Sequence, residues 1–485
     1  MRKTPVEKKY RRAVVWMRRA LRVRDNVALW HAVQDAIEVI PVVCLRGGNA
    51  YQAETPRRRY LRAAIADLEG NLRRLGSGLA VRVGDPLREI PASAVEFEAD
   101  AVYAVNVYDP ATQRRDGKIA RALQQEGRQL HLVKDCVLFE GKEIVAASGE
   151  PYRVYTPYRN ALLGSAQEIP RPLPIPVHLA TPPLRGKTVP LDRIRGFERT
   201  VEEGGESAAL RRLRRFLAGP VAAYAQERDL PGRDGTSRLS APLSHGAISV
   251  RTLYWHTVAA KEHAEKQARK SIDLFISELI WREFYYQILA NYPHVVGGPF
   301  RKEFASLRWR HSGRDFEAWT SGETGYPIVD AAMRQLAGEG WMHNRARMIV
   351  ASFLTKDLHL NWQEGERHFA EVLSDADIAS NNGGWQWTAG TGTDASPWFR
   401  IFNPVLQGKK FDPDGSYVRA YVPELRRVPA RFIHTPWEMS ADDQRSARCV
   451  VGRNYPSPIV DHAVERGVTL ELYRHPGGVA TKKPV

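Results

Sequence analysis

The sequence predicts an α/β amino-terminal domain on a doubly wound parallel sheet, followed by a larger, mainly α-helical domain. Three observations support this fold class. Short β-branched runs alternate with helix-length segments early in the chain. A proline-dense stretch follows them, and the later segments have helical periodicity. At 485 residues with 43% hydrophobic content, the chain is long enough for two or three packed domains.

The amino-terminal strands are predicted from five short apolar runs. They are AVVW (13–16), VIPVVCL (39–45), LAVRV (79–83), DAVYAV (100–105) and LHLV (130–133). Because helix-length segments separate them, the runs indicate parallel βαβ units. The sequence therefore predicts an α/β domain over residues 11–140.

A long connector separates this domain from the helical part. In IPRPLPIPVHLATPPL (169–184), the prolines lack N–H donors and fix φ, which disfavours a regular helix or central strand. We predict a proline-rich linker over 141–206. Helical periodicity in ALRRLRRFLAGPVAAYAQ (209–226) and DLFISELIWREFYYQILANY (273–292) predicts an α-helical domain over 207–475.

Charge and cysteine content narrow the class of protein. Lys and Arg outnumber Asp and Glu by 71 to 55, which favours a polyanionic partner such as DNA, RNA or an anionic membrane, or else an Arg-rich solvated surface. Cys44, Cys136 and Cys449 lie far apart, so we expect neither a disulfide framework nor a metal site, and a reducing cytosol. No run approaches the ~20 apolar residues that span a bilayer.

The segment FISELIWREFY (275–285) places four unlike side chains on one helix face. Glu278, Trp281, Arg282 and Tyr285 fall at i, i+3, i+4 and i+7. A carboxylate, an indole, a guanidinium and a phenol on one stripe are unusual for an ordinary core. The structural alternative is a surface ion pair between Glu278 and Arg282, worth ~0.2–0.5 kcal/mol.

The segment WMHNRARM (341–348) gives a second helix face. Asn344, Arg347 and Met348 fall at i, i+3 and i+4, with Arg345 projecting elsewhere. An amphipathic helix with an Arg-rich solvent side is the alternative. The loop at Thr236 to Ser240 (TSRLS) offers hydroxyls and a guanidinium that suit a pyrophosphate, although a simple helix cap would look similar.

The segment DADIASNNGGWQW (375–387) crowds acids, paired amides, paired glycines and two indoles together. Gly383 and Gly384 permit close backbone approach or a positive φ. Trp385 and Trp387 are two residues apart, so their indoles are expected on roughly opposite sides. A structural loop with two buried tryptophans is the alternative.

Taken together, these motifs resemble the photolyase and cryptochrome family over nearly the whole chain. The similarity runs from VVWMRRALRVRDNVAL (14–29) through GYPIVDAAMRQLAGEGWMHNRARM (325–348) to FRIFNPVLQGKKFDPDG (399–415). The resemblance is closest to class I-like members. It implies an enzyme that splits cyclobutane pyrimidine dimers in DNA. The electron for this reaction would come from photoexcited, reduced anionic FAD bound in the helical domain. Members that repair 6-4 photoproducts usually carry His at pocket positions; Asn344 and Met348 here favour dimers in duplex DNA.

The resemblance also implies which residues hold FAD. Asn381 would face flavin N5 and favour the reduced anionic ring, and Arg347 and Asp375 would form an ion pair beside the isoalloxazine. The full set implied by the resemblance is Tyr224, Thr236, Ser237, Arg238, Leu239, Ser240, Arg282, Arg347, Asp375, Asp377 and Asn381.

Residues for substrate, electrons and DNA follow from the same resemblance. Trp281 and Trp387 would form an apolar wedge around the dimer, Glu278 and Asn344 would bond the pyrimidine edges, and Met348 would pack beside the cyclobutane. An electron chain of tryptophans is implied at Trp309, Trp362 and Trp385. The residues expected near DNA are Arg228, Trp281, Arg345 and Arg400.

The sequence does not identify the second, antenna chromophore that the amino-terminal domain of this family often holds. The family pattern W-F-R-R-D-L-R has Ala20 in place of its acid, and Ala111 and Thr112 replace residues that hold folate in some relatives. These changes argue against folate and leave a deazaflavin, a second flavin or an empty site.

Two other function classes share parts of this pattern. A cryptochrome photoreceptor usually has a longer carboxyl-terminal extension, whereas this chain ends shortly after ELYRHPGGVATKKPV. A binding-only protein with a vestigial flavin pocket would not require the whole set of substrate side chains. We therefore expect an enzyme acting on UV-damaged DNA, monomeric and associated with the nucleoid in the cytosol.

Overall fold

The computed structural model describes residues 7–46, 55–165, 168–184, 186–194, 197 and 203–477. The chain packs into two compact units. The first unit comprises Met1–Tyr152, Pro157–Ala222 and Ser237–Pro293, and the second comprises Arg153–Thr156, Ala223–Thr236 and His294–Val485. The sequence boundaries at 11–140, 141–206 and 207–475 stay a prediction.

The first unit contains a five-stranded sheet in the order β3-β2-β1-β4-β5, in which neighbouring strands are parallel. Val14 lies opposite Ile40 on one side and Val102 on the other, and all three are fully buried. All five predicted strands are confirmed, within a few residues at their ends. Their bounds are β1 Tyr10–Trp16, β2 Ala36–Leu45, β3 Ala80–Val83, β4 Ala101–Val105 and β5 Gln129–Val133.

Four helices connect the strands, which makes the sheet doubly wound as predicted. Each begins at a side chain that accepts a backbone N–H, and the caps of α3 and α4 are Asp85 and Asp109. Both of these helices begin where a strand has just ended, at the carboxyl edge of the sheet. The bounds are α1 Val27–Asp35, α2 Pro56–Arg74, α3 Pro86–Glu96 and α4 Pro110–Gln125.

The proline-rich stretch separates α5, Tyr155–Leu163, from the later helices, and its described residues, 168–184, contain no regular helix or strand. The predicted helical segment 209–226 is interrupted, because Pro220 follows Gly219 and cannot continue the backbone ladder. The bounds are α6 Gly205–Ala218, α7 Tyr224–Glu227, α8 Ser240–His245, α9 Val250–Glu262 and α10 Lys266–Asn291.

From His294 onward, the second unit consists mainly of helices, which pack around a core that includes Trp319, Val350, Phe369 and Trp385. A π-helical turn, Phe353–Asp357, directly follows α13. The predicted class, an α/β domain followed by a larger α-helical region, is confirmed. The bounds are α11 Gly313–Ser321, α12 Pro327–Glu339, α13 Asn344–Ser352, α14 Trp362–Val372, α15 Ile378–Ala389, α16 Pro404–Phe411, α17 Ser416–Tyr421, α18 Ala441–Ala447 and α19 His462–Arg474.

Candidate functional site

Helix α10 of the first unit carries the predicted stripe of polar and aromatic side chains. The ring centroids of Trp281 and Tyr285 are 5.7 Å apart, as expected for residues four apart on one face. The guanidinium of Arg282 lies 4.5 Å from the ring centroid of Tyr286. Glu278, Trp281 and Arg282 are all half-buried, so the stripe keeps polar and indole surface accessible.

Glu283 is a buried carboxyl group on α10 that the sequence analysis missed. Its side chain accepts the N–H of Leu138 at 2.6 Å and of Phe139 at 3.4 Å, and pairs with Arg282 at 3.0 Å. Burial raises the pKa of Glu283 to about 7, although the positive charge of Arg282 opposes this. A usable signal existed, because Glu283 interrupts the apolar stripe that contains Ile276 and Ile280.

The TSRLS loop precedes α8 and is divided between the two units, with Thr236 in the second and the other four residues in the first. The Oγ atom of Ser237 accepts the N–H of Leu239 at 3.4 Å. Arg238 adopts φ 49°, which is uncommon for a residue with a side chain. Ser240 is exposed as the first residue of α8, whereas Leu239 is buried.

Helix α13 of the second unit carries Asn344, Arg347 and Met348. The guanidinium of Arg347 binds the carboxylate of Asp375 through two bonds, of 3.1 and 2.7 Å, and its Nε donates to the carbonyl of Met342. The predicted ion pair between Arg347 and Asp375 is therefore confirmed. The Nδ2 atom of the exposed Asn344 lies 4.0 Å from the sulfur of Met348, so these two side chains share one face.

The arginines expected near DNA have different surroundings. Arg345 donates to Asp229 at 2.9 Å and stacks on Phe411, with its guanidinium 4.4 Å from the ring centroid. The guanidinium of Arg228 also approaches Asp229, at 4.0 Å. Arg400 is exposed. Asp229 was not anticipated, because an acidic side chain at this position gives no pattern in the sequence.

The segment 375–387 forms the start of α15 rather than a loop. Asp377 caps the helix by accepting the N–H of Ser380 at 3.1 Å, and the amide of Asn381 donates to the carbonyl of Glu366 at 2.9 Å. Gly383 and Gly384 continue the helix, and neither has a positive φ. A Cβ at Gly384 would meet no atom within 4 Å, which leaves open space beside the helix.

The tryptophans fall into two groups by burial. Trp385 is 2% exposed and packs with its ring 5.0 Å from Phe369 and 6.1 Å from Trp319, whereas Trp387 is half-buried. The two indoles of the motif therefore lie in different surroundings, as the prediction of opposite sides requires. Trp362 is buried at the start of α14.

Trp309 and Tyr224 complete the predicted residues of the second unit. The half-buried ring of Trp309 lies 6.5 Å from that of Tyr473. Tyr224 is buried on α7, with the guanidinium of Arg228 5.4 Å from its ring centroid. The structure thus supplies local partners for both residues, while the roles assigned to them stay predictions.

A cavity of about 710 Å³ opens at the carboxyl edge of the sheet in the first unit. Its lining includes Arg46, Asp85, Arg115 and the two residues Ala111 and Thr112 that replace folate-holding positions. The guanidinium of Arg115 lies 5.1 Å from the ring centroid of Trp16, and burial lowers its pKa. The cavity therefore combines two cationic groups with the amino ends of two helices.

Membrane-spanning helices and clusters of metal ligands are both absent from the described ranges. No helix in them has both the length and the apolarity to cross a membrane. Within the same residues, no three His, Cys, Asp or Glu side chains gather as metal ligands would.

Two family models match separate parts of the chain. The model described as "DNA photolyase" matches residues 13–177. The model described as "FAD binding domain of DNA photolyase" matches residues 275–475. Together these two matches cover more than half of the chain, including both the sheet and the helical region.

Similar proteins cover nearly the whole chain. The deoxyribodipyrimidine photo-lyase of Agrobacterium fabrum is 40% identical over 470 residues, which are 95% of this chain and 97% of the relative. A bacterial class III photolyase from Agrobacterium tumefaciens has a TM-score of 0.88 at 38% identity, with 98% of both chains covered. An archaeal photolyase from Sulfolobus tokodaii with two FAD molecules has a TM-score of 0.80 at 30% identity, covering 96% of this chain and 99% of that chain.

Proposed function

The chain belongs to the DNA photolyase family, and we propose that it is a FAD-dependent lyase that splits cyclobutane pyrimidine dimers in DNA under near-ultraviolet or blue light. The observation that carries this function is the identity of 40% over 470 residues with a deoxyribodipyrimidine photo-lyase. The side chains that the reaction requires are present as well. An indole and a carboxyl group share one face of α10, and an amide and a thioether share one face of α13.

The residues assigned to the substrate match its mixed polarity. A dimer that has left the duplex exposes apolar ring faces and polar pyrimidine edges. Trp281 and Trp387 supply flat apolar surface, for which each base contact is worth ~1–3 kcal/mol. Glu278 and Asn344 bond the edges, and Met348 packs against the cyclobutane. Unstacking costs least where pairing is already disturbed, so the damaged step is favoured over intact DNA.

The residues assigned to FAD fit a large, anionic, partly aromatic ligand. When bound and reduced, FAD supplies a photoexcited electron that splits the dimer and then returns. The hydroxyls of Thr236, Ser237 and Ser240 and the charge of Arg238 suit its phosphates. The open space beside Gly384 gives room next to Asn381 on α15. The remaining residues assigned to FAD are Tyr224, Leu239, Arg282, Arg347, Asp375 and Asp377.

Asn381 and the Arg347–Asp375 pair control the charge near the flavin in this proposal. The backbone carbonyl of Glu366 holds the Asn381 amide, and the Glu366 carboxyl holds the neighbouring Asn382. An amide held in this way neither loses a proton readily nor repels an anionic ring. Asp375 neutralises most of the charge of Arg347, which leaves a hydrogen-bonded plane instead of a free cation.

Electron supply and DNA positioning use further residues of the second unit. Electrons that reduce oxidised FAD before repair begins pass along Trp309, Trp362 and Trp385.

DNA phosphates are contacted by Arg228, Arg345 and Arg400. These contacts fix the orientation of the duplex without reading its sequence. Asp229 lies against Arg345, so binding phosphate there requires Arg345 to share or exchange its carboxylate partner.

The cavity in the first unit is the proposed place of an antenna chromophore. Its two arginines and two helix amino ends suit an acidic or phosphate-bearing pigment. Because Ala111 and Thr112 stand where the resemblance implies an acid and an amide that hold folate, we favour a flavin or deazaflavin over a folate. The formal net charge of +16 suits UV-damaged DNA as the partner, and we propose a monomer that acts in the cytoplasm at the nucleoid.

The test is repair of a thymine-dimer oligonucleotide by anaerobically reduced holoprotein, in light and in dark. Recovery of thymine absorbance in light alone is expected. An oligonucleotide with a 6-4 photoproduct serves as the lesion control and should stay unrepaired. Repair of the 6-4 lesion instead of the dimer would overturn the substrate assignment, and no repair by fully reduced protein would favour a photoreceptor.

A further inference from the structure

Lys356 is a fully buried amine that has no acidic partner among the described residues. It lies on the π-helical turn after α13, and its Nζ donates to the carbonyl oxygens of Ala389 and Trp398, both at 3.2 Å. Buried ammonium groups normally pair with carboxylates, because an unpaired charge is costly to desolvate. Burial lowers the pKa of Lys356 to about 7, so its charge changes near neutral pH.

An aromatic cluster surrounds this amine. The Nζ of Lys356 lies 3.7 Å from the ring centroid of Tyr473. The ring of Tyr473 stacks on Trp398 at 6.1 Å and meets Trp309 edge to face at 6.5 Å. Tyr473 is therefore the ring that connects Trp309 with Trp398, and Lys356 touches the face of that ring.

Tyr473 and Lys356 also share a hydrogen-bond acceptor. The phenolic Oη of Tyr473 donates to the carbonyl oxygen of Ala389 at 2.6 Å, and Lys356 donates to the same oxygen. The phenol of Tyr473 and the amine of Lys356 therefore converge on one carbonyl oxygen. Burial raises the pKa of Tyr473, so its phenol stays neutral while Lys356 titrates.

Several titratable groups on the elements that pack against the π-helical turn have partners of their own. On α19, His462 and Glu465 bind residues in or beside that turn and Glu471 binds Arg474, and on α13 both arginines bind carboxylates outside it. The pairs are His462 with Asp357, His359 with Glu465, Arg347 with Asp375, and Asn382 with Glu366. On α14, His368 packs against the ring of Trp319. Among the described residues, Lys356 is the cation that lies over the ring of Tyr473.

The charge of Lys356 acts on Tyr473 in two ways. A cation on the ring face makes removal of an electron from that ring harder, because it repels the positive charge that would form. A protonated amine also cannot accept the phenolic proton, which a tyrosine must lose when it is oxidised. The neutral amine removes both obstacles.

We propose that Lys356 gates electron donation from Tyr473 to an oxidised Trp309. The gate rests on the proposed role of Trp309 in electron supply. With the amine neutral, Tyr473 gives one electron to the Trp309 radical cation and its phenolic proton to Lys356. The products are a neutral tyrosyl radical, a closed-shell Trp309 and an ammonium on Lys356. With the amine already protonated, the step is blocked and the radical stays on Trp309.

The experiment is time-resolved electron paramagnetic resonance on flash-illuminated holoprotein with oxidised FAD, at about pH 6 and about pH 8. Because these values lie one unit on either side of the Lys356 pKa, the neutral fraction changes about tenfold. The tyrosyl yield should rise in proportion. Tyr473→Phe should abolish the tyrosyl signal and leave the tryptophan radical at both pH values.

Substitution of Lys356 separates the gate from other pH effects. Lys356→Met should remove the pH dependence of the tyrosyl yield, whereas Lys302→Met, which changes an exposed lysine, should retain it. A tyrosyl yield that does not change with pH, while the Trp309 radical is present, overturns the gate alone. Absence of any Trp309 radical overturns the proposed electron route and the gate together.

A direct titration tests the gate without any change of sequence. In protein with labelled lysine side chains, nuclear magnetic resonance should show one amine that titrates near pH 7 and disappears in Lys356→Met. If every lysine titrates near the ordinary value of about 10.4, the gate is wrong. This measurement stays decisive even if Lys356→Met folds poorly, since the native protein alone then shows whether such an amine exists.

Discussion

Gly365 on α14 gives the sharpest test of how Trp385 is packed. A Cβ added at Gly365 would lie 2.2 Å from Cη2 of Trp385 and 2.6 Å from Cδ2 of Leu354. Carbon atoms in contact are normally ~3.5–4.0 Å apart. Gly365→Ala therefore forces the indole to move by more than about 1 Å, within a core that already holds it between Trp319 and Phe369.

The cost of this change follows from two opposing effects. Overpacking a rigid core costs ~1–3 kcal/mol, and the indole has little freedom to relax, so we take the upper value. Replacing a helical glycine by alanine returns about 1 kcal/mol of helix propensity. Gly365→Ala should therefore lower the free energy of unfolding by about 2 kcal/mol. It should also slow photoreduction of oxidised FAD, because Trp385 is displaced.

The assay is urea unfolding of the holoprotein, followed by near-ultraviolet circular dichroism of the tryptophans. Gly338→Ala is the matched control, because Gly338 is an exposed helical glycine with no atom within 4 Å of an added Cβ. The control should be more stable by about 0.5–1 kcal/mol. If Gly365→Ala is as stable as Gly338→Ala, the described packing of Trp385 is refuted.

Three further predictions concern binding, electron supply and pH. Trp281→Ala should weaken binding of dimer-containing DNA by ~10–100-fold while FAD stays bound, and Trp255→Ala, elsewhere in the first unit, should not; equal affinity of both variants would remove Trp281 from the substrate contacts. Trp309→Phe should slow photoreduction of oxidised enzyme yet spare repair by chemically reduced enzyme, and loss of both activities would mean a structural role. The pKa of Glu283 is raised above its unfolded value to about 7, so the folded protein binds an extra proton below that pH and stability should fall as pH rises from about 4.3 to about 7. Glu283→Gln should flatten this slope in urea titrations, and an unchanged slope would show that another group causes it.

Local pattern was sufficient to predict much of the fold. Each of the five strands was predicted because parallel strands buried on both faces are continuous apolar runs. The face of α10 was predicted because residues three and four apart meet on any helix. The Arg347–Asp375 ion pair was correctly expected, although its 28-residue separation gives no local signal and the expectation came from family resemblance.

The residues that the sequence analysis did not identify have one feature in common: their partners come from other segments of the folded chain. Glu283 is buried and Glu366 is half-buried, and they bind backbone N–H groups and an amide from other segments. The identity of such partners cannot be read from a single sequence. Asp229 pairs with Arg345 across more than a hundred residues.

In the proposed repair reaction, the electron used to split the dimer returns to the flavin, so that repair involves no net redox change. The direct measurement is the number of dimers restored per reduced flavin, under anaerobic illumination and without added reductant, with flavin absorbance followed throughout. We expect many dimers to be restored per flavin, with the flavin still reduced at the end. One dimer or fewer per flavin, accompanied by stoichiometric flavin oxidation, would contradict this expectation.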